Sequence, residues 1–71
     1  MGETEDELAV QRFAQAMKEK MNEKAEQGYG GWQDCPDDVL WGMLRDHVEK
    51  GDPVDVANFA MMIWNNRRSR G

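Results

Sequence analysis

The stretch Gly51-Asp52-Pro53-Val54-Asp55-Val56-Ala57-Asn58-Phe59-Ala60-Met61-Met62-Ile63-Trp64 decides the fold, because one helix must end and another begin within its first few residues. Glycine accepts the left-handed backbone that closes a helix, so Gly51 reads as a stop signal. Asp52 can cap the next helix and Pro53 suits its first position. Asp55, third in, turns its carboxylate toward the unpaired amide groups of that end. Two helices joined through one or two residues must fold back on each other, which predicts an antiparallel helical hairpin. The second arm of this hairpin is expected over residues 53–66.

The first arm is predicted over 37–50. It starts near Pro36 or Asp37, where a proline followed by carboxylates fits a helix start, and it carries Leu40, Met43, Leu44, His47 and Val48 as an inward stripe with Trp41 beside it. Upstream, residues 3–27 contain neither proline nor glycine and are rich in Ala, Glu, Lys, Gln and Met, which are strong helix formers. Val10, Phe13, Ala14, Met17, Met21 and Ala25 recur every three or four residues and define one apolar stripe. The segment Gly28-Tyr29-Gly30-Gly31-Trp32 breaks that helix, and Trp32 is expected to plug the end of the core. The fold class is therefore all-α: a long N-terminal helix followed by the hairpin, in one small domain.

The chain has 71 residues, of which 39% are apolar, so any core is small. Its formal charge is −5, from 14 acidic and 9 basic side chains. Residues 34–55 hold seven carboxylates against only Arg45 and Lys50, and Arg67, Arg68 and Arg70 form a basic end. An acidic surface repels phosphate backbones and anionic membranes, which argues against generic nucleic-acid binding. Cys35 is the single cysteine, no apolar run reaches membrane-span length and no secretory signal pattern is visible, so a cytoplasmic location is expected. The third helix is apolar nearly all round. A second subunit is expected to cover part of it, through Phe59, Met62, Ile63 and Trp64.

Chemistry concentrates at the hairpin junction. Asp46 and Glu49 are three apart near the end of one helix, and Asp52 and Asp55 are three apart at the start of the next, so four carboxylates can converge. Carboxylates held close repel unless a cation intervenes, and Mg2+ prefers such oxygen ligands, so this set is a candidate metal site. Capping accounts equally for Asp52 and Asp55, and Arg45 or Lys50 can pair with the others on a solvated face. His47 is either a partly buried core residue or a functional polar group. Asn58, one turn beyond Asp55, must find hydrogen bonds if buried. Tyr29 and Trp32 can stack a flat ligand or simply pack. The sequence has no phosphate-binding loop and no dinucleotide glycine pattern.

The run from Gly51 to Ile63, preceded by Gly30-Gly31-Trp32, resembles the phage-encoded MazG-like dATP/dGTP pyrophosphohydrolases, with Asp55-Val56-Ala57-Asn58-Phe59-Ala60-Met61-Met62-Ile63 as the most specific part. The resemblance spans roughly residues 28–64. It implies an all-helical, oligomeric protein of phage or prophage origin that handles nucleoside triphosphates with Mg2+. Asp55 and Asn58 match the family's second motif directly, Asp52 stands where the family has Glu, and only Asp46 and Glu49 can represent the first carboxylate pair. The long segment that separates the two pairs in the family is absent here. The expected function is binding of a nucleotide or nucleotide-derived signal, such as sequestration of an immune signal, with Asn58, Trp32, Tyr29 and His47 at the ligand and Asp46, Glu49, Asp52 and Asp55 at any metal. The alternatives are Mg2+-dependent hydrolysis of a nucleoside triphosphate to monophosphate and pyrophosphate, and an interaction protein that inhibits or adapts a host protein.

Overall fold

The computed structural model describes residues 2 and 4–70, and these form three α-helices and one short 3-10 turn. Helix α1 spans Glu5–Glu26, the 3-10 turn Trp32–Asp34, α2 Asp37–Lys50 and α3 Pro53–Arg70. The start expected for the first helix, Glu3, lies outside the described residues. Helix α1 opens instead on Thr4, whose hydroxyl accepts the Glu7 amide at 3.1 Å, and Glu5, Asp6 and Glu7 follow at the positive end of the helix dipole. Gly28, with φ at 91°, turns the chain off α1, while the Tyr29 amide donates back to the Lys24 carbonyl at 2.9 Å.

The hairpin junction follows the chemistry of its residues. Gly51 adopts φ 79° and its amide donates to His47 and Val48 carbonyls, closing α2. Asp52 then caps α3: its Oδ1 accepts the Val54 amide at 3.0 Å and the Asp55 amide at 3.4 Å. Helices α2 and α3 pack as the antiparallel pair, and α1 lies against α3. The third helix is thus contacted from two sides within the chain. That arrangement covers Met62 and Ile63 within the chain and leaves Trp64 exposed.

Leu40 (1% exposed), Met62 and Ile63 form the buried centre, with Met21, Trp32, Leu44, Phe59 and Met61 packed around it. Of the four third-helix residues expected to face a partner subunit, Met62 and Ile63 therefore lie inside this core. Phe59 is half-buried, and only Trp64 is broadly exposed. The predicted stripes are also narrower than their periodicity: Val10 and Phe13 on α1, and Met43 and Val48 on α2, are exposed. Periodicity identifies an apolar face but not how far along it a neighbour reaches.

Helix α3 runs to Arg70, four residues beyond its expected end, because its basic last turn is tied down. Arg67 binds Asp37 through two guanidinium contacts, the shorter at 2.8 Å, and Arg70 donates to the Gln33 and Cys35 carbonyls. Buried Asn66 donates from Nδ2 to the Trp32 carbonyl at 3.1 Å. These bonds hold the 3-10 turn, which the sequence pattern did not reveal, against the end of α3.

Candidate ligand-binding groove

All three helices and the glycine turn border one groove of about 470 Å³. Helix α1 supplies Lys20 and Lys24, the turn supplies Tyr29 and Trp32, α2 supplies His47, and α3 supplies Asp55, Asn58 and Phe59. The four α3 and α2 residues meet for simple reasons of register. Asp55, Asn58 and Phe59 share one face of α3 at spacings of three and four, and the antiparallel hairpin brings His47, near the end of α2, beside the start of α3. The His47 and Phe59 rings pack with centroids 4.8 Å apart.

The hydrogen bonds inside the groove leave a pattern. The Asn58 residue is 3% exposed; its Nδ2 donates to the Met17 carbonyl at 3.3 Å, and its Oδ1 is buried with no hydrogen-bond partner among the described residues. His47 Nδ1 lies 2.8 Å from the Met43 carbonyl. A carbonyl can only accept, so Nδ1 carries a proton there and, in the neutral ring, Nε2 presents its lone pair. That Nε2 is 4.0 Å from Asp55 Oδ2.

Lys20, which the sequence reading did not single out, is the cation of the site. Its Nζ is 3.3 Å from Asp52 Oδ2 and 3.7 Å from Asp55 Oδ1. The hydrogen bond to Asp52, with the charges of Asp55 and Asp52, holds the Lys20 ammonium above its ordinary range. Burial alone pushes the Asp52 carboxyl up, but the Lys20 hydrogen bond and the Val54 and Asp55 amides outweigh it and hold the group below the usual carboxylate value. The signal available in the sequence was weak: Lys20 sits one turn beyond Met17 and next to Met21, at the edge of the α1 stripe.

Of the predicted site residues, the structure gathers His47, Asp55, Asn58, Trp32 and Tyr29 around one groove, with Asp52 joined to them through Lys20. Asp46 and Glu49 are exposed and take part in none of these contacts. Among the described residues no three His, Cys, Asp or Glu side chains converge to hold a metal ion. In this arrangement Lys20 contacts both Asp52 and Asp55 of the expected four-carboxylate set. A second, shallower depression borders Asp37, Asp38, Trp41 and Arg45, but Asp37 is committed there to Arg67. No helix among the described residues is long and apolar enough to cross a membrane.

Comparison of the chain with protein-family models, with curated proteins and with solved structures gives no match.

Proposed function

We propose that the protein binds a nucleotide or nucleotide-derived signal in the groove between α1, α2 and α3, as a shortened relative of the phage MazG-like pyrophosphohydrolases. The observation that carries this reading is the unpartnered, buried Oδ1 of Asn58 in a groove walled by aromatic rings. A buried acceptor left without a donor costs stability, so its retention points to a ligand that supplies one. Tyr29, Trp32 and Phe59 offer ring faces to a flat body, and Lys24 stands at the rim with its Nζ 5.4 Å from the centre of the Tyr29 ring, available to a negatively charged tail.

Binding is favoured over hydrolysis because the carboxylates that would share a Mg2+ are divided: Asp52 and Asp55 are occupied by Lys20, and Asp46 and Glu49 face solvent. In this proposal a homo-oligomer forms through apolar groups that the chain itself leaves uncovered, Trp64 on α3 and Leu8, Val10 and Phe13 on α1. The test is isothermal titration with dATP, dGTP and cyclic nucleotides, each with and without Mg2+, followed by analysis of products. Saturable binding without turnover supports the proposal. Pyrophosphate release that disappears in Asp55→Ala replaces it with the enzymatic reading, and the absence of any nucleotide effect on binding or melting removes both.

A further inference from the structure

We propose that Asp55, Asn58 and His47 form an acceptor-only floor that reads the N–H edge of an amino-bearing nucleobase, with the Lys20 ammonium taking the charge-balancing place of a metal ion. The inference rests on the reading of the groove as a nucleotide site and specifies which end of the ligand enters it.

The donors of the floor are already spent. Asn58 Nδ2 is used on the Met17 carbonyl and His47 Nδ1 on the Met43 carbonyl. What remains is Asn58 Oδ1 without a partner, and His47 Nε2 at 4.0 Å from Asp55 Oδ2. A dication can satisfy acceptors, but here Lys20 lies 3.3 Å from Asp52 and 3.7 Å from Asp55 and already gives them a cation. What the floor lacks is an N–H donor at Asn58 Oδ1 rather than positive charge. A phosphate brings acceptors only and is the wrong end to bury there. A flat heterocycle with an exocyclic amine brings donors and a face for Tyr29, Trp32 and Phe59, leaving its phosphates to point outward past Lys24.

The experiment is titration calorimetry of the full chain in EDTA with two matched pairs, adenosine against purine riboside and guanosine against inosine, which differ in the exocyclic amine, and with inorganic phosphate as competitor. At least one amino-bearing nucleoside is expected to bind without metal and at least tenfold more tightly than its counterpart, with phosphate unable to displace it. Asn58→Leu and, independently, Asp55→Asn are each expected to weaken that binding tenfold or more. Mn2+ is expected to give no site on the wild type and to gain one in Lys20→Met, where the two carboxylates lose their cation. Nucleotide binding that requires Mg2+, equal binding within both pairs, or displacement by phosphate overturns this inference while leaving the groove as the nucleotide site. Failure of every nucleoside and nucleotide to bind overturns both.

Discussion

Asn58→Leu separates a binding residue from a structural one through the sign of its stability change. The substitution keeps a branched side chain of similar length and removes two polar atoms with opposite accounts. Oδ1 is buried with no partner among the described residues, and leaving such an acceptor unmade costs about 1–3 kcal/mol. Nδ2 donates to the Met17 carbonyl at 3.3 Å, a neutral bond whose net contribution is about 0.5–1.5 kcal/mol. Removing Nδ2 does not orphan that carbonyl, because Met17 is in the interior of α1 and its oxygen also accepts the helical amide four residues on. The balance runs from about 0.5 kcal/mol against the variant to about 2.5 kcal/mol in its favour. For a chain of this size, a change of 1 kcal/mol moves Tm by roughly 4–8 °C. Calorimetry of the unliganded variant should therefore show Tm raised, or lowered by no more than about 4 °C, while titration shows nucleotide binding lost. A Tm lowered by more than about 8 °C would refute the reasoning, for it would mean that both polar atoms serve the fold and that the vacancy at Oδ1 is not a binding feature.

Four further outcomes are expected. Leu40→Ala removes the most deeply buried core side chain and should cost about 2–5 kcal/mol out of roughly 4–11 for a chain of this size; thermal unfolding that shifts by less than about 4 °C would place the core elsewhere. Gly51→Ala puts a β-carbon on a residue at φ 79° with open space around it, so the cost is backbone strain of about 1–2 kcal/mol, and Gly51→Asn should lose less. The Asp52 and Asp37 carboxyls are both held below the usual carboxylate range, Asp37 mainly by the Arg67 hydrogen bond. Their stabilisation is complete above the ordinary value of about 4 and is lost as pH falls below it, so Tm should stay level from pH 7 to 5 and drop beneath 4, with a shallower drop in Asp52→Asn, which retains a capping side chain. Finally, nucleotide affinity should change less than tenfold between 50 and 500 mM NaCl, as expected where hydrogen bonds to the base dominate; a steep salt dependence measured by titration would mean that phosphate contacts dominate.

The all-helical fold was legible because its decisive signals are local. Gly51, Asp52 and Pro53 determine backbone angles and hydrogen bonds within three residues, and the hairpin follows from them. What escaped the sequence depended on pairing across distance. Lys20 meets Asp52 and Asp55 from more than thirty residues away, and Asn66 and Arg70 reach back to the 3-10 turn. Periodicity also does not say which part of an apolar helix the chain itself covers: α1 and α2 enclose Met62 and Ile63, while Trp64 stays exposed. The same limit applies to the site. Spacing showed that Asp55 and Asn58 share a face, but only the fold shows that Asn58 spends its amide nitrogen on α1 and leaves its oxygen buried without a partner.

The distribution of charge in the folded chain bears on the proposal that an acidic protein takes a nucleotide. The seven carboxylates of residues 34–55 do not act as one cluster: Asp37 belongs to Arg67, Asp52 and Asp55 belong to Lys20, and Asp34, Asp38, Asp46 and Glu49 lie open to solvent. The basic end is divided as well, with Arg67 on Asp37, Arg68 stacked 4.8 Å over Trp64 and Arg70 bound to backbone carbonyls. The net charge of −5 therefore resides on outer faces, where water and salt screen it. Around the groove, Lys20 pairs with Asp52 and Asp55, and Lys24 lies over the Tyr29 ring. In the proposed function, selectivity falls to shape and to hydrogen-bond polarity, for which this groove offers aromatic side chains and the unpartnered Asn58 Oδ1.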